Sequence, residues 1–314
     1  MRCVAGLLAA LFAASAAAQS FPSKTVRFVS GVTPGSASDT MARILAERLS
    51  TTLGQPVIVE NRLGAGGLVG ARYVAQEAEP DGHTIMMYAS AFTVSTLLNP
   101  GLDPKELAPV ATVATIPTVL ITPPGKYKSP QDFVQAAKAQ PGKLVCSSAG
   151  SGSATHMALE RFRFSAGFEV LMVHTKGAGE ALTEVISGRA DCYFALVFQA
   201  QKMAEAGKVS ALAVSGPKRT SLMPNLPTVE EAGYPGSNYN FWVGTLVSAK
   251  VPRPIVERLH KEINAAVQSP EISDRIRKLG ADPLIMSIAE FDGMIQRELK
   301  ENAELIKKAG IKSN

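Results

Sequence analysis

Ser153 and His156 stand three residues apart, on what reads as one helical turn, and are the nearest thing in this chain to a nucleophile beside a base. A hydrolase would also require a sharp G-x-S-x-G turn to expose the serine and an acid to orient the imidazole. Neither can be assigned here, so hydrolysis is disfavoured. His83, His156, His174 and His260 are dispersed, with no H-x-x-x-H pair and no cysteine at ligand spacing, which disfavours a metal centre. A lone histidine at a strand end, such as His174, is read as a satisfied structural residue.

The stretch Asn61 to Ala71, NRLGAGGLVGA, raises phosphate binding, because it follows the strand-like run Pro56-Val57-Ile58-Val59-Glu60 and leads into a helical pattern. A dinucleotide fingerprint in that context is G-x-G-x-x-G. The spacing here is Gly64-x-Gly66-x-x-x-Gly70, one residue too long at its last step, with Val69 in the position required. Close backbone packing is the alternative use of such glycines.

Two other junctions suit a ligand better. In SGVTPGSASD, Pro34-Gly35 turns the chain and Ser36-Ala37-Ser38 opens a helix; in CSSAGSGSATH, Ser147 to Ser153 does the same later in the chain. Ligands of open α/β sheets sit at the carboxyl ends of strands, where helix N-termini present unpaired N–H groups. Small residues let a ligand approach the main chain, and the helix dipole favours a carboxylate there. Asp39, in the first turn of the first helix, argues against a polyphosphate. Read without a ligand, both junctions are ordinary capped helix starts.

The compartment bears on these choices. Met1-Arg2, the apolar run Val4 to Ala14 and Ala16-Ala17-Ala18 before Gln19 have the pattern of a cleavable signal peptide over residues 1–18, and the apolar run is too short to span a bilayer. Cys3 lies too early for a lipoprotein cleavage box. The mature protein is therefore expected to start near Gln19 outside the cytoplasm, where exchangeable nicotinamide and flavin nucleotides are scarce; no cofactor is expected. With 46% hydrophobic residues the remaining chain can build one large or two ordinary cored domains. The net charge of +5 is scattered among acids, as in RELKENAELIKK, which disfavours nucleic acid but suits the approach of small anions. An oxidising compartment permits a disulfide between Cys146 and Cys192, whereas their apolar strand-like surroundings suit buried free thiols, the reading favoured here.

Strand-like and helical patterns alternate almost throughout, beginning with TVRFVSGV and a helix whose Met41, Ile44, Leu45 and Leu49 share one face. PVIVE, a helix around GARYVAQEA and the strand TIMMYAS follow. After the apolar run Pro109 to Thr122 a second series begins: a helix with Ser129 as N-cap and Pro130 in its first turn, strand KLVCSS, a helix from Ser153, strand FEVLMVH, helix EALTEVISG and strand DCYFALVF. The segment Gly216 to Asn240 is turn-rich. FWVGTLVSA is a further strand, and three amphipathic helices close the chain, from Pro252, after Pro270 and from about Ile288 to Ala309. This alternation predicts two α/β domains with mainly parallel sheets.

Taken in order, FPSKTVRFV, TPGSASD, GQPVIVENRLGAGGLVGA, PDGHTI, PGKL, SSAGSGSATH, KGAGEALTEVISGRAD, SALAVSG, LPTVEEAGYPG and LGADP resemble the Bug family, the extracytoplasmic solute-binding receptors of tripartite tricarboxylate transporters. The resemblance covers essentially the whole mature chain. It implies a type II periplasmic-binding-protein fold, with residues 19–114 and 241–314 forming one lobe and 115–240 the other. The lobes would be joined by crossover strands near Thr115 to Leu120 and Asn240 to Gly244, and would close on a small carboxylate. A periplasmic monomer delivering that solute to membrane permease subunits is the implied function; a ligand-sensing component for a two-component signalling partner is the alternative.

The resemblance also implies ligand contacts. These are the first strand–helix loop (Thr33, Pro34, Gly35, Ser36, Ala37, Ser38, Asp39), the S-A-G-x-G-S loop (Ser148, Ala149, Gly150, Ser151, Gly152, Ser153, with Thr155), Ala89 to Phe92 (Ala89, Ser90, Ala91, Phe92), Lys176-Gly177-Ala178, and the strand end Phe194-Ala195. Three departures stand out. His174-Thr175 replaces the frequent Pro-Tyr before Lys-Gly-Ala, Ala195 replaces a frequent Asp, and Ser151 replaces a frequent Asn. Without that Asp an ammonium group lacks a partner, so non-amino carboxylates are expected, aromatic ones included if Phe92, Phe194 and Trp242 flank the cleft.

Overall fold

The computed structural model describes residues 21–312, so the expected signal peptide lies outside the described residues. The first strand, β1 (Val26–Ser30), is covered on both faces: Phe28 belongs to one apolar cluster and Val29 to another. It leads into α1 (Ala37–Leu53), in which Met41, Ile44, Leu45 and Leu49 are all buried and Gly54 closes the helix in the left-handed conformation. β2 (Val57–Asn61) pairs parallel to β1 on one side, and β3 (Thr84–Ala89) parallel on the other.

Between β2 and β3 the expected helix is broken into a 3-10 turn (Ala65–Gly67), α2 (Leu68–Arg72) and a π turn (Tyr73–Glu77). The glycines there serve packing. A β-carbon on Gly31 would stand 2.5 Å from the Gly67 Cα, and the Tyr88 hydroxyl donates to Gly66 O at 2.6 Å, so two backbones and a ring meet where no side chain fits.

α3 (Ala91–Leu98) and β4 (Leu107–Thr115) follow. Much later β10 (Trp242–Ser248) enters between β4 and β3, antiparallel to both, and β11 (Asp282–Pro283) pairs with the outer edge of β4. The order β11-β4-β10-β3-β1-β2 is therefore mixed rather than mainly parallel. α1, α8 (Arg253–Gln268) and α9 (Pro270–Lys278) cover one face, while α2, α3 and the first half of α10 (Ile288–Ala309) cover the other.

The chain leaves this sheet after Thr115 and returns at Trp242, and the two crossings are tied by Ile116 N donating to Phe241 O at 2.7 Å. In between, β5 (Thr118–Thr122) has β8 (Tyr193–Leu196) and β9 (Ser210–Val214) antiparallel on either side. β6 (Val145–Ser148) and β7 (Leu171–His174) are parallel, and a bridge from Cys146 to Cys192 joins them to β8. This second sheet is mixed as well. The two cysteines form a disulfide at that bridge, with Cα atoms 4.6 Å apart, which overturns the expectation of free thiols. The register forces it: parallel pairing brings two buried cysteines of neighbouring strands face to face.

The helices of this lobe are α4 (Pro130–Ala139), α5 (Ala154–Ala166), α6 (Ala178–Ile186) and α7 (Val197–Glu205). Ser129 caps α4 by accepting from Asp132 N, and Ser153 caps α5 by accepting from His156 N. The run DCYFALVF turns helical already at Val197. The last helix, α10, straddles the molecule: Phe291 and Ile295 lie in the core of the first lobe, Leu305 in that of the second. Each such buried aliphatic or aromatic side chain contributes about 1.5–3 kcal/mol, so α10 is a third link between lobes.

Candidate functional site

The strand registers set where the loops meet. β1 and β3 run parallel and β10 antiparallel to them, so the loop after Ser30, the segment after Ala89 and the entry into Trp242 share one sheet edge. In the second lobe β6, β7 and β8 all end toward the crossings, since Leu196 of β8 pairs with Thr118 at the start of β5. The two edges face each other beside the two crossings.

In the first loop Thr33, Pro34 and Gly35 are exposed, and Ser36 is the N-cap of α1. Asp39 is wholly buried and turned away from solvent. Its Oδ2 accepts from Gly35 N and Arg43 Nε, both at 2.9 Å, and its Oδ1 accepts from Asn61 Nδ2 at 2.7 Å and Arg43 Nη2 at 3.2 Å. Burial alone would raise this carboxyl's pKa, but these bonds reverse the effect and hold it below the ordinary aspartate range. Asp39 is thus an ionised strut beneath the loop, with Arg43 neutralising it.

At the end of β3, Ala89, Ser90 and Phe92 are buried and Ala91 is half-buried. Ser90 N donates to Trp242 O at 3.0 Å, and the Ser90 hydroxyl pairs with the Tyr239 hydroxyl at 3.0 Å. This segment therefore touches the return crossing directly. Across from it, Gly152 stands against Val94 and Leu98 of α3.

The S-A-G-x-G-S loop satisfies most of its own amides. Ala149 N donates to Thr155 Oγ1 at 2.9 Å, Gly152 N to His156 Nδ1 at 3.0 Å and Ser153 N to Gly150 O at 3.2 Å. Among the described residues this leaves the amides of Ser151, Ala154 and Thr155 without a protein acceptor, at the N-terminus of α5 where the helix dipole adds to them. The neighbouring loop is laced to this one: Thr175 N and Thr175 Oγ1 both reach Ser148 O, at 2.9 and 3.0 Å. Lys176 is exposed, and Gly177 and Ala178 open α6.

Sequence reasoning grouped His156 with Ser153 and left His174 apart; the structure instead brings the two imidazoles together, centroids 4.6 Å apart, beneath the loop. Arg43, Asn61 and Tyr239 also support the site without having been expected to. Only the Asp39–Arg43 pair carried a usable signal, an acid and a base four apart on a helix.

Other expectations change. Phe92, Phe194 and Trp242 do not line a cleft: all three are buried in the cores, Trp242 edge-on to Phe291 at 5.1 Å and Phe194 against Phe162 at 6.0 Å. Ala195 points into an apolar cluster with Val119 and Val214, on the opposite face of β8 from Phe194. Neither side chain can reach a ligand in the cleft, because alternate residues of a strand enter opposite cores. A separate groove of about 690 Å³ runs between α10 and the second lobe, where Glu230, Glu298, Glu301 and Glu304 offset Arg161, Arg297 and Lys308 and leave no excess of positive charge for an anion. The strand ends are the better candidate on charge.

Residues 41–311 match the Tripartite tricarboxylate transporter family receptor. The chain belongs to that family. It is similar to protein BugT of Bordetella pertussis, 30% identical over 96% of this chain and 94% of the relative. Among solved structures it resembles a Rhodopseudomonas palustris protein with adipate (29% identity, TM-score 0.79, 93% of this chain and 99% of the other). It also resembles MatC from Rhodopseudomonas palustris with bound malate (28%, 0.75, 91% and 100%). The two-lobed fold is that of periplasmic binding proteins, and the family is one of periplasmic solute-binding receptors rather than enzymes. Among the described residues no helix is long and apolar enough to cross a membrane.

Proposed function

We propose that this chain captures a small carboxylate between its lobes and delivers it to the membrane permease of a tripartite tricarboxylate transporter. The observation that carries the reading is the charge of the site. Of its two charged residues, Asp39 is buried and neutralised by Arg43, whereas Lys176 is exposed on the loop that Thr175 laces to the one holding the amides of Ser151, Ala154 and Thr155. An anion meets donors there, and the neighbouring Glu180 carboxylate is engaged by Lys176 N at 2.9 Å. The adipate and malate bound by the two relatives support the same ligand class.

The ligand class excludes amino acids, because the one buried acid of the site, Asp39, is already paired with Arg43, and burying an ammonium group unpaired costs several kcal/mol. With the aromatic side chains in the cores, aliphatic carboxylates fit the site better than aromatic ones.

A thermal-shift panel tests this. A ligand that binds only the folded protein adds about 2.7 kcal/mol at a hundredfold excess over its Kd, a midpoint rise of roughly 5 °C for a chain of this size. Malate, adipate or a related acid should give that rise and also shrink the radius of gyration in solution scattering as the lobes close. Aspartate and glutamate should give neither. Micromolar binding of aspartate, or no shift with any carboxylate, would overturn the reading.

A further inference from the structure

Two imidazoles brace the S-A-G-x-G-S loop from beneath, one at each end. His156 Nδ1 accepts from Gly152 N at 3.0 Å, so that nitrogen carries no proton, and its Nε2 faces Glu160 Oε1 at 3.8 Å. His174 Nδ1 lies 2.6 Å from Ser148 Oγ, which in turn stands 3.4 Å from Gly150 N. The two histidines differ in what a proton would do. On His156 it would set N–H against N–H and break the Gly152 bond, in a side chain that is only 4% exposed. On His174 it would keep the Ser148 bond, with the imidazolium donating to Oγ, and the ring is open to solvent.

We propose that His174 is the proton-linked positioning residue of the carboxylate site: a carboxylate docking on the loop draws a proton onto His174, while neutral His156 holds Gly152 in place. This rests on the carboxylate reading given above. The charged groups around the pair are few. On α5, Glu160 faces both rings and is itself held by Arg163, which also binds Glu169; β6 and α3 carry no titratable side chain. Exposed Lys176 follows on the next turn, with its amide donating to Glu180 Oε2 of α6 at 2.9 Å, and Ser151 Oγ donates to Lys312 O near the C-terminus. Burial, with the neighbouring His174 and Arg163, pushes His156 down to about 3, so it stays neutral; burial also lowers His174, with Glu160 opposing.

The sign follows. A nearby carboxylate favours the imidazolium, so the pKa of His174 rises on binding, and affinity must rise as pH falls through the window between its free and bound values. At one hydrogen bond's remove from the loop, the effect should be about three- to tenfold between pH ~8 and ~5.5.

Calorimetry with malate and adipate, in two buffers of different ionisation enthalpy, reads the proton directly. The wild type should take up a fraction of a proton, and His174→Gln, which keeps a partner for Ser148 but cannot titrate, should take up none and lose the pH dependence. The His174 ring resonance of the wild type, titrated with and without saturating ligand, gives the same answer without a variant: its pKa should rise. Equal proton uptake in His174→Gln, or a ring pKa unmoved by ligand, overturns the inference and leaves the carboxylate receptor standing. Failure of every carboxylate to bind at any pH removes both.

Discussion

Asn61, the last residue of β2, donates through Nδ2 to Asp39 Oδ1 at 2.7 Å and to Val32 O at 3.0 Å, and so lashes the end of one strand to the loop that follows another. Asp39 is the node of that lashing. Asp39→Ala leaves Gly35 N without its acceptor, removes one acceptor from Asn61 and the counter-charge from Arg43, and should cost about 2–4 kcal/mol in urea unfolding. Because its folded pKa is depressed, the stability Asp39 supplies is present above the unfolded value near 4 and is lost as pH falls below it. The variant should therefore show a shallower acid limb than the wild type, and identical limbs would refute the assignment.

Gly152 and Gly150 should respond differently to substitution. Gly152 has φ +70°, and a β-carbon there would stand 3.2 Å from Val94 Cγ1 of α3, in the opposite lobe. Gly152→Val combines strain with displacement of that contact, so it should lose about 2–3 kcal/mol of stability along with ligand binding. A β-carbon on Gly150 meets nothing nearer than Thr175 O at 3.7 Å, and Gly150→Ala should fold with only the cost of its positive φ. Unchanged affinity by calorimetry in Gly152→Val would reduce the loop to a helix cap.

Glu298 on α10 predicts a second pH dependence, of opposite sign. Its carboxylate accepts from Trp242 Nε1 at 2.9 Å, and burial pushes it up to about 7 despite that bond and the nearby Arg161. A raised folded pKa means stability that is full below the unfolded value near 4.3 and is lost as pH rises through about 7. Thermal midpoints should fall over that window by the equivalent of about 3–4 kcal/mol. Glu298→Gln keeps an acceptor for Trp242 and should flatten the curve; an unaltered curve would place the titration elsewhere.

The disulfide closes a loop with a sequence separation of 46. Chain-entropy arguments put its contribution at about 3–4 kcal/mol. Both cysteines are fully buried, so a reductant should act only on unfolded molecules: the Cys146→Ala, Cys192→Ala double variant should melt well below the wild type, while mild reductant leaves the native protein unaltered. Equal melting would show that the bridge adds nothing to the fold.

Legibility followed distance along the chain. Ser129 and Ser153 were readable as caps because a cap is made within three residues, and α10 was readable from Ile288 to Ala309 because its apolar period and its ends are local. The two helix N-termini of the candidate site came from the same kind of signal, small residues after a strand. The aromatic residues were misplaced because a strand's alternation says that Phe194 and Ala195 face opposite ways, not which way faces a core.

The sequence by itself determined that alternating α/β elements build two lobes, that glycine and serine clusters stand at helix starts suited to an anion, and the family to which those segments belong. Only the tertiary structure decided that β10 enters between β3 and β4 and makes the sheet mixed, that Cys146 meets Cys192, that Asn61 of β2 reaches Asp39, and that His174 lies on His156. The physical reason is common to all four. Caps, turns and apolar periods are satisfied within one or two turns of chain, so their energetics are written locally. Strand register and buried polar pairs instead join residues tens to hundreds of positions apart, and which of many compatible partners is met depends on the packing of the whole chain.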